Sequence, residues 1–220
     1  MDFSYYSEIT QYILLGSGVT LRVFAVTLLF SIPLGIICAI GKLTKFKPLH
    51  LLLGIYTWVF RGTPLLLQLC FVYYGLPIVT DQAIVLMPLQ AAYITFVFNY
   101  AAYFTEIFRA GIQSIGKGQY EASKALGMSP WLTMRRIVLP QAIKVIIPPL
   151  GSEAINLVKD TALCSVITIP EILRNANRVL SRDFNIMALV IAAVIYLLIT
   201  LVVIQIFRRI EKRYSYYTIK

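Results

Sequence analysis

Four polar side chains interrupt an apolar segment at positions 146–169. They are Glu153, Asn156, Lys159 and Asp160. At about 100° per helical residue, Asn156 lies about 60° and Asp160 about 20° from Glu153, so these three form one stripe about two turns long. Two carboxylates and an amide can bind a zwitterionic solute that carries an extra positive charge. We therefore predict that Glu153, Asn156 and Asp160 form a substrate-binding site.

Lys159 lies about 120° from Glu153, away from this stripe. It can pair with another helix or contact the carboxylate of a substrate from the side. Charged groups inside a membrane span are costly and are therefore candidates for function. The alternative is that the two carboxylates are neutralised within the protein, by Lys159, Arg61 or an arginine of a neighbouring subunit.

A second group of polar residues recurs on one face of the apolar segment at 83–108. It consists of Asn99, Tyr103 and Glu106, with Tyr100 adjacent. These side chains could line a pathway opposite the acidic stripe. Equally, Glu106 could pair with Arg109 at the helical i, i+3 spacing. The sequence leaves both interpretations open.

The composition places these residues in a membrane. Hydrophobic residues make up 59% of the 220 residues and charged residues only 14%, whereas a soluble domain carries about a quarter charged residues. The net charge of +10 does not indicate nucleic acid as a partner, because the lysines and arginines cluster between apolar runs. The three cysteines lie in apolar stretches and His50 has no partner at metal-binding spacing, so we predict neither disulfides nor a metal site.

The apolar segments predict an all-α integral membrane protein with five transmembrane helices in one domain, residues 1–220. The predicted spans are 19–40, 63–79, 83–108, 146–169 and 186–207. The first has 22 residues, about 33 Å of helix, which is enough to cross the hydrocarbon core. We place 49–60 near the interface, because Arg61 then lies at the membrane boundary.

The distribution of lysine and arginine predicts the orientation. Fourteen of the twenty lie in segments 41–48, 109–144 and 208–220, and only three lie in the segments predicted for the other side. Cytoplasmic loops carry the excess of positive charge. We therefore expect the N-terminus outside, the C-terminus in the cytoplasm, and 109–144 as a cytoplasmic loop.

That loop contains a motif, EASKALGMSPWLTMRRIVLP, at 121–140. Its alanines favour a short helix, which Gly127 can end in a left-handed conformation. Ser129 and Pro130 then fit the N-cap and first position of a second helix. The motif resembles the cytoplasmic "EAA" loop of ABC importer permeases, which docks on the ATPase partner. The resemblance assigns ATPase coupling to Glu121, Ala122, Ser123 and Gly127.

Further motifs are similar to those of the polar amino acid permeases, which import histidine, arginine, glutamine or cystine. They are FRGTPLLLQL at 60–69, EIFRAGIQSI at 106–115, GQYEA at 118–122, LPQA at 139–142 and KDTAL at 159–163. The resemblance covers about residues 10 to 210. The chain departs from it at Ser123, where the motif has its second alanine, and at Ala162, where many relatives have serine.

This resemblance implies a type I ABC importer permease fold. It also implies a dimer with an identical or related permease, two ABC ATPase subunits, and an extracytoplasmic amino-acid-binding protein as partners in the cell membrane. Transport would proceed by alternating access. Because the Lys159–Asp160 pair matches the family generally, it says little about which amino acid is carried. Glu153 discriminates more, and it favours arginine, lysine or histidine over glutamine or cystine as substrate.

No ATP site or enzyme active site is predicted. The nearest approach to a phosphate-binding loop, GIICAIGK at 35–42, has five residues between its glycines instead of four, and Leu43 follows where serine or threonine is required. We therefore expect no cofactor in this chain, and ATP hydrolysis by the partner. The competing class is a self-sufficient secondary transporter, although such proteins usually have more spans and internal repeats.

Overall fold

The computed structural model describes residues 3–214, which are helical throughout this range apart from short connections. The helices that exceed ten residues are α1 (Phe3–Leu43), α2 (Lys47–Gly62), α5 (Pro88–Gln113), α8 (Leu139–Asp160), α9 (Ile172–Asp183) and α10 (Met187–Tyr214). The shorter ones are α3 (Leu65–Cys70), α4 (Leu76–Val79), α6 (Lys117–Ala125) and α7 (Pro130–Thr133). A π-helical turn joins α3 to α4 and another joins α7 to α8, while a 3₁₀ turn, Thr161–Ile167, follows α8.

The first helix begins much earlier than the predicted start at residue 19. α1 has 41 residues, about 61 Å at helical rise. Its N-terminal part is stabilised by packing, because Ile9 and Ile13 are buried against α9 and α10. At this end Tyr5 also donates a hydrogen bond of 2.7 Å to Asp183. The partners of this segment lie more than 150 residues away in the chain, so local apolarity could not predict them.

The second apolar segment is broken. α2 and the helical stretch Leu65–Val79 meet at an angle of 102°. Pro64 stands at the N-cap of α3 with extended backbone, and a proline lacks the N–H that a continuous helix would need here. We call residues 61–64 the elbow. Arg61 lies at this bend and is exposed.

The helices that correspond to the remaining predicted spans begin and end at other residues. For the third, predicted as 83–108, the structure has Pro88–Gln113, because Asp81 and Gln82 adopt positive φ in a turn that delays the helix. The fourth, predicted as one span over 146–169, is α8 followed by the tighter 3₁₀ turn. The fifth, predicted as 186–207, is Met187–Tyr214.

The segment 170–185, predicted only as a connection on the outer side, contains the helix α9. Glu171 caps it, and its carboxylate accepts hydrogen bonds from the backbone N–H groups of Leu173 and Arg174 at 2.8 and 2.6 Å. Glu171 is buried, and the hydroxyl of Tyr196 donates to the same carboxylate at 2.6 Å. α9 is thereby tied to α10.

The core lies between α1 and α5. At Gly35 of α1, an added Cβ would lie 2.7 Å from the Cβ of Phe104, so the two helices approach at a point that only glycine permits. Around this seam Phe96, Tyr100 and Phe104 of α5 are fully buried. Within residues 3–214, α1 and α10 are long and apolar enough to span a membrane, and the bent pair α2 with Leu65–Val79 makes a third candidate. The count of five and the orientation therefore stay predictions.

Candidate functional site

A cavity of about 620 Å³ opens between the elbow, α5 and α8. Glu153, Asn156 and Asp160, the predicted substrate residues, all line it. Lys159 lines it as well, although the helical angle set this residue apart from the stripe. The stripe and Lys159 border the same cavity because a wide arc of the surface of α8 faces it. The rest of the lining comes from residues 61–66 of the elbow region, from Asn99, Tyr100 and Tyr103 of α5, and from Leu163.

The two carboxylates of the cavity are half-buried and have no ion-pair partner in residues 3–214. The carboxylates found in ion pairs within 4 Å in that range are those of Glu106 and Asp183. Asp160 accepts a hydrogen bond of 2.7 Å from the hydroxyl of Tyr100. Arg61 and Lys159 act on these carboxylates at longer range. Direct neutralisation within the described chain, one of the two predicted alternatives, is therefore not observed.

Arg61 lies at the elbow and faces the cavity across from α8. Its guanidinium sits over the ring of Tyr103, 5.4 Å from the ring centroid. Such a cation–π contact orients a guanidinium without consuming its N–H donors. The cavity therefore combines two carboxylates with two cationic groups, Arg61 and Lys159.

The segment 109–144 folds as predicted from its local turn signals. Gly127 has φ of +73° and ends α6 in a Schellman motif: its N–H donates to the carbonyl of Lys124 at 3.0 Å, and the N–H of Met128 donates to that of Ser123 at 3.0 Å. Ser129 caps α7, accepting from the N–H of Leu132 at 3.3 Å. The two short helices therefore form a defined, outward-facing corner.

The predicted coupling residues do not all face outward at this corner. Glu121 and Ala122 are exposed. Ser123 is buried, and its hydroxyl donates to the carbonyl of Gln119 at 2.7 Å. Two large apolar side chains that the sequence analysis did not select, Leu126 and Trp131, are 80% and 70% exposed beside Gly127. Their apolar character in a loop outside the predicted spans was the available signal.

Comparison with known proteins decides the family. Residues 31–216 match the family described as "Binding-protein-dependent transport system inner membrane component". The chain belongs to this family.

Relatives of this permease cover nearly its whole length. It is 37% identical over 214 residues to the arginine transport system permease protein ArtQ of Bacillus subtilis (strain 168), with 97% of each chain aligned. It is 36% identical to the putative glutamine transport system permease protein GlnP of Rickettsia bellii (strain RML369-C), with 92% of each chain aligned. The crystal structure of an amino acid ABC transporter with histidines has a TM-score of 0.88 and 34% identity, covering 97% of this chain and 99% of that one.

These likenesses confirm the predicted family, the type I ABC permease fold and the multi-pass inner-membrane location. The chain is a transport subunit of an amino acid ABC transporter, and the ATPase is a separate partner protein. Permeases of this family work as dimers. The named relatives carry different amino acids, so membership alone does not determine the substrate of this permease.

The elbow of the permease is held by two amide side chains. The carbonyl oxygen of Phe60, near the end of α2, accepts two hydrogen bonds. The Nε2 of Gln68 donates one at 2.9 Å, and the Nδ2 of Asn99 donates the other at 3.0 Å. Asn99 also donates to the Oε1 of Gln68 at 3.0 Å, and Gln68 donates to the hydroxyl of Thr63 at 2.8 Å. Asn99, predicted as a possible pathway residue, borders the cavity. Its amide also donates a hydrogen bond to a backbone carbonyl at the end of the broken helix.

Glu106 lies three residues beyond Tyr103, which lines the cavity, and it is paired. Arg109 donates to it at 2.9 and 2.6 Å, which is the i, i+3 pair that the sequence offered as one alternative. Lys42 of α1 forms a second ion pair with the same carboxylate and also donates to the hydroxyl of Thr57 at 2.9 Å. The sequence carried no signal for Lys42, which is 64 residues away from Glu106.

Proposed function

We propose that this permease moves basic α-amino acids, such as arginine, lysine or histidine, into the cell by alternating access. The observation that carries this proposal is the pair of half-buried carboxylates, Glu153 and Asp160, which border a cavity of about 620 Å³ without an ion-pair partner within 4 Å in residues 3–214. A charged group at such a site is costly unless a partner compensates it. A cationic substrate supplies that partner.

The charges of the cavity fit the whole substrate. The guanidinium of Arg61 or the ammonium of Lys159 can hold the α-carboxylate, and one carboxylate of the cavity can hold the α-ammonium. The second carboxylate then remains for a cationic side chain. A neutral side chain such as that of glutamine would leave this carboxylate without an ionic partner.

The ATPase partners supply the energy in this proposal, and the permease itself holds no cofactor. The excess of lysine and arginine supports placing the N-terminus outside, the C-terminus in the cytoplasm, and 109–144 on the cytoplasmic side of five spans. An extracytoplasmic amino-acid-binding protein would deliver the substrate to the outer face. The corner made by α6 and α7, with Glu121, Ala122 and the exposed Leu126, would dock on the ATPase, and Ser123 and Gly127 would hold its shape.

The experiment is ATPase stimulation of the reconstituted permease–ATPase complex by a panel of amino acids, with its binding protein present. Selective stimulation by arginine, lysine or histidine supports the proposal. Stimulation by glutamine or cystine alone would retain the importer and remove the role of Glu153 in substrate choice. Uptake that persists after ATP depletion, with ion gradients held, would favour a secondary transporter instead.

A further inference from the structure

A second cavity, of about 560 Å³, adjoins the substrate cavity. It lies between α5 and α8 and is bordered by Glu106 and Arg109 of α5, by Ser114 directly after that helix, and by Val145 and Pro149 of α8. The two cavities share three lining residues, which are Arg61, Tyr103 and Glu153.

The two cavities follow one another along the bundle. On α5 the lining moves from Asn99 in the first cavity to Ser114 in the second, about 22 Å of helix. α8 follows α5 in the chain after α6 and α7. On α8 the lining residues run in the opposite chain direction, from Asp160 in the first cavity back to Val145 in the second. Both progressions therefore lead to the end of the bundle that carries α6 and α7. The second cavity lies between the substrate cavity and the corner that is proposed to dock on the ATPase.

The two cavities differ in the charge that they offer. In the first, Glu153 and Asp160 have no ion-pair partner within 4 Å among residues 3–214. In the second, the additional carboxylate is Glu106, which already pairs with both Lys42 and Arg109. A cationic side chain that moves from the first cavity into the second therefore leaves the carboxylate of Asp160 and meets in its place one that is already compensated. This difference favours release.

Arg61 is the cation common to both cavities. It also borders a smaller recess with Trp58 and Glu106, so its side chain lies where these spaces meet. It stacks on Tyr103 and forms no ion pair within 4 Å in the described chain. Its position is set by the elbow, which the amides of Gln68 and Asn99 fasten to α5. A planar guanidinium with free donors suits a carboxylate, which it can bind with two parallel hydrogen bonds.

We propose that the second cavity is the release path and that Arg61 holds the α-carboxylate of the amino acid in both cavities. The substrate then pivots on its carboxylate while its side chain leaves Asp160 and passes Glu153, which borders both spaces, into the second cavity. This inference rests on the proposed function. It adds a substrate-binding residue on the elbow and a direction of exit.

Removing the carboxylate from the ligand tests the role of Arg61. Binding of radiolabelled arginine and of agmatine, which is arginine without its carboxylate, is measured on the purified permease–ATPase complex in nanodiscs, without binding protein. Loss of a hydrogen bond to a charged group corresponds to about a tenfold to hundredfold weaker binding. We expect Arg61→Gln to weaken arginine binding by that factor and to leave agmatine binding within about twofold. Arg61→Lys keeps the charge but loses the paired N–H donors of the guanidinium. Its affinity for arginine should therefore lie between those of the wild type and Arg61→Gln.

Tyr103 provides a matched pair of variants. Tyr103→Leu removes the aromatic face under the guanidinium and should weaken arginine binding selectively over agmatine, and by more than Tyr103→Phe, which keeps that face. Equal loss for both ligands in Arg61→Gln would overturn the carboxylate role. If wild-type permease binds neither ligand, the proposed substrate class fails instead, so the two failures are distinguishable.

The release path is tested by thiol accessibility. Ser114→Cys places a thiol in the second cavity, and Lys117→Cys on α6 places a matched thiol outside it, both in a Cys70→Ala background because Cys38 and Cys164 are buried. We expect saturating arginine to slow labelling of Ser114→Cys by an impermeant maleimide at least severalfold while Lys117→Cys is unaffected. Identical labelling rates for Ser114→Cys with and without arginine would overturn the release path.

Discussion

Glu153→Gln is the substitution that most directly tests how this permease chooses its substrate. The exchange keeps the size and hydrogen-bonding capacity of the side chain and removes its charge. Because the carboxylate has no ion-pair partner within 4 Å in the described chain, its removal breaks no ion pair of that range within this part of the chain. The change should therefore act on the substrate more than on folding.

The magnitude follows from the exposure of the side chain. A hydrogen bond to a charged group contributes about 1.5–3 kcal/mol, and about 1.4 kcal/mol corresponds to a factor of ten in affinity. Glu153 is only half-buried, and solvent screening reduces the contribution of partly exposed charges. We therefore expect the lower end of the range, about a tenfold weaker affinity for arginine. Glutamine binding should change by less than about twofold.

The assay is equilibrium binding of arginine and glutamine to the reconstituted permease–ATPase complex, together with the unfolding temperature in detergent. Glu8→Gln serves as the matched control, because Glu8 is exposed on α1, far along the chain from the cavity residues. An unchanged arginine affinity in Glu153→Gln would refute the reasoning. A large fall in unfolding temperature would likewise show that Glu153 has a structural partner.

Three further predictions concern the scaffold. Gly127→Ala should destabilise the corner by about 1 kcal/mol, because the φ of +73° is unfavourable for a residue with a Cβ. The substitution should lower substrate-stimulated ATPase activity more than substrate binding. Stimulation equal to that of the wild type would contradict a coupling role for Gly127. Asn99→Leu should destabilise the permease by about 1–3 kcal/mol, since it removes a buried donor from the Phe60 carbonyl, and thermal unfolding beside the exposed control Asn177→Ala measures it. Arg182 and Tyr5 hold the pKa of Asp183 at about 2, below its unfolded value of about 3.9. The stabilisation from Asp183 is thus present above about pH 4 and lost as the pH falls through 2. Wild type and Asp183→Asn should therefore differ in unfolding temperature at pH 6 and converge near pH 2. A difference that stays constant with pH would exclude a stabilising role for the Asp183 carboxylate.

The sequence alone was sufficient wherever the interaction is local. The turn at Gly127 and the cap at Ser129 follow from hydrogen bonds that span only a few residues, so the residue types specify them. The acidic stripe of α8 follows from helical periodicity in the same way. Apolar composition and the placement of lysines and arginines were likewise enough for the membrane class.

Only the tertiary structure decided the features that join distant parts of the chain. The first 16 residues of α1 extend the helix because α9 and α10 cover Ile9 and Ile13. Glu106 takes Lys42 as a partner across 64 residues, and Phe60 takes Asn99 across 39. The 102° elbow places Arg61 beside Glu153 and Tyr103. Local rules reach about one helical turn along the chain, whereas ion pairs, amide contacts and the shape of a cavity depend on which helices the fold brings together.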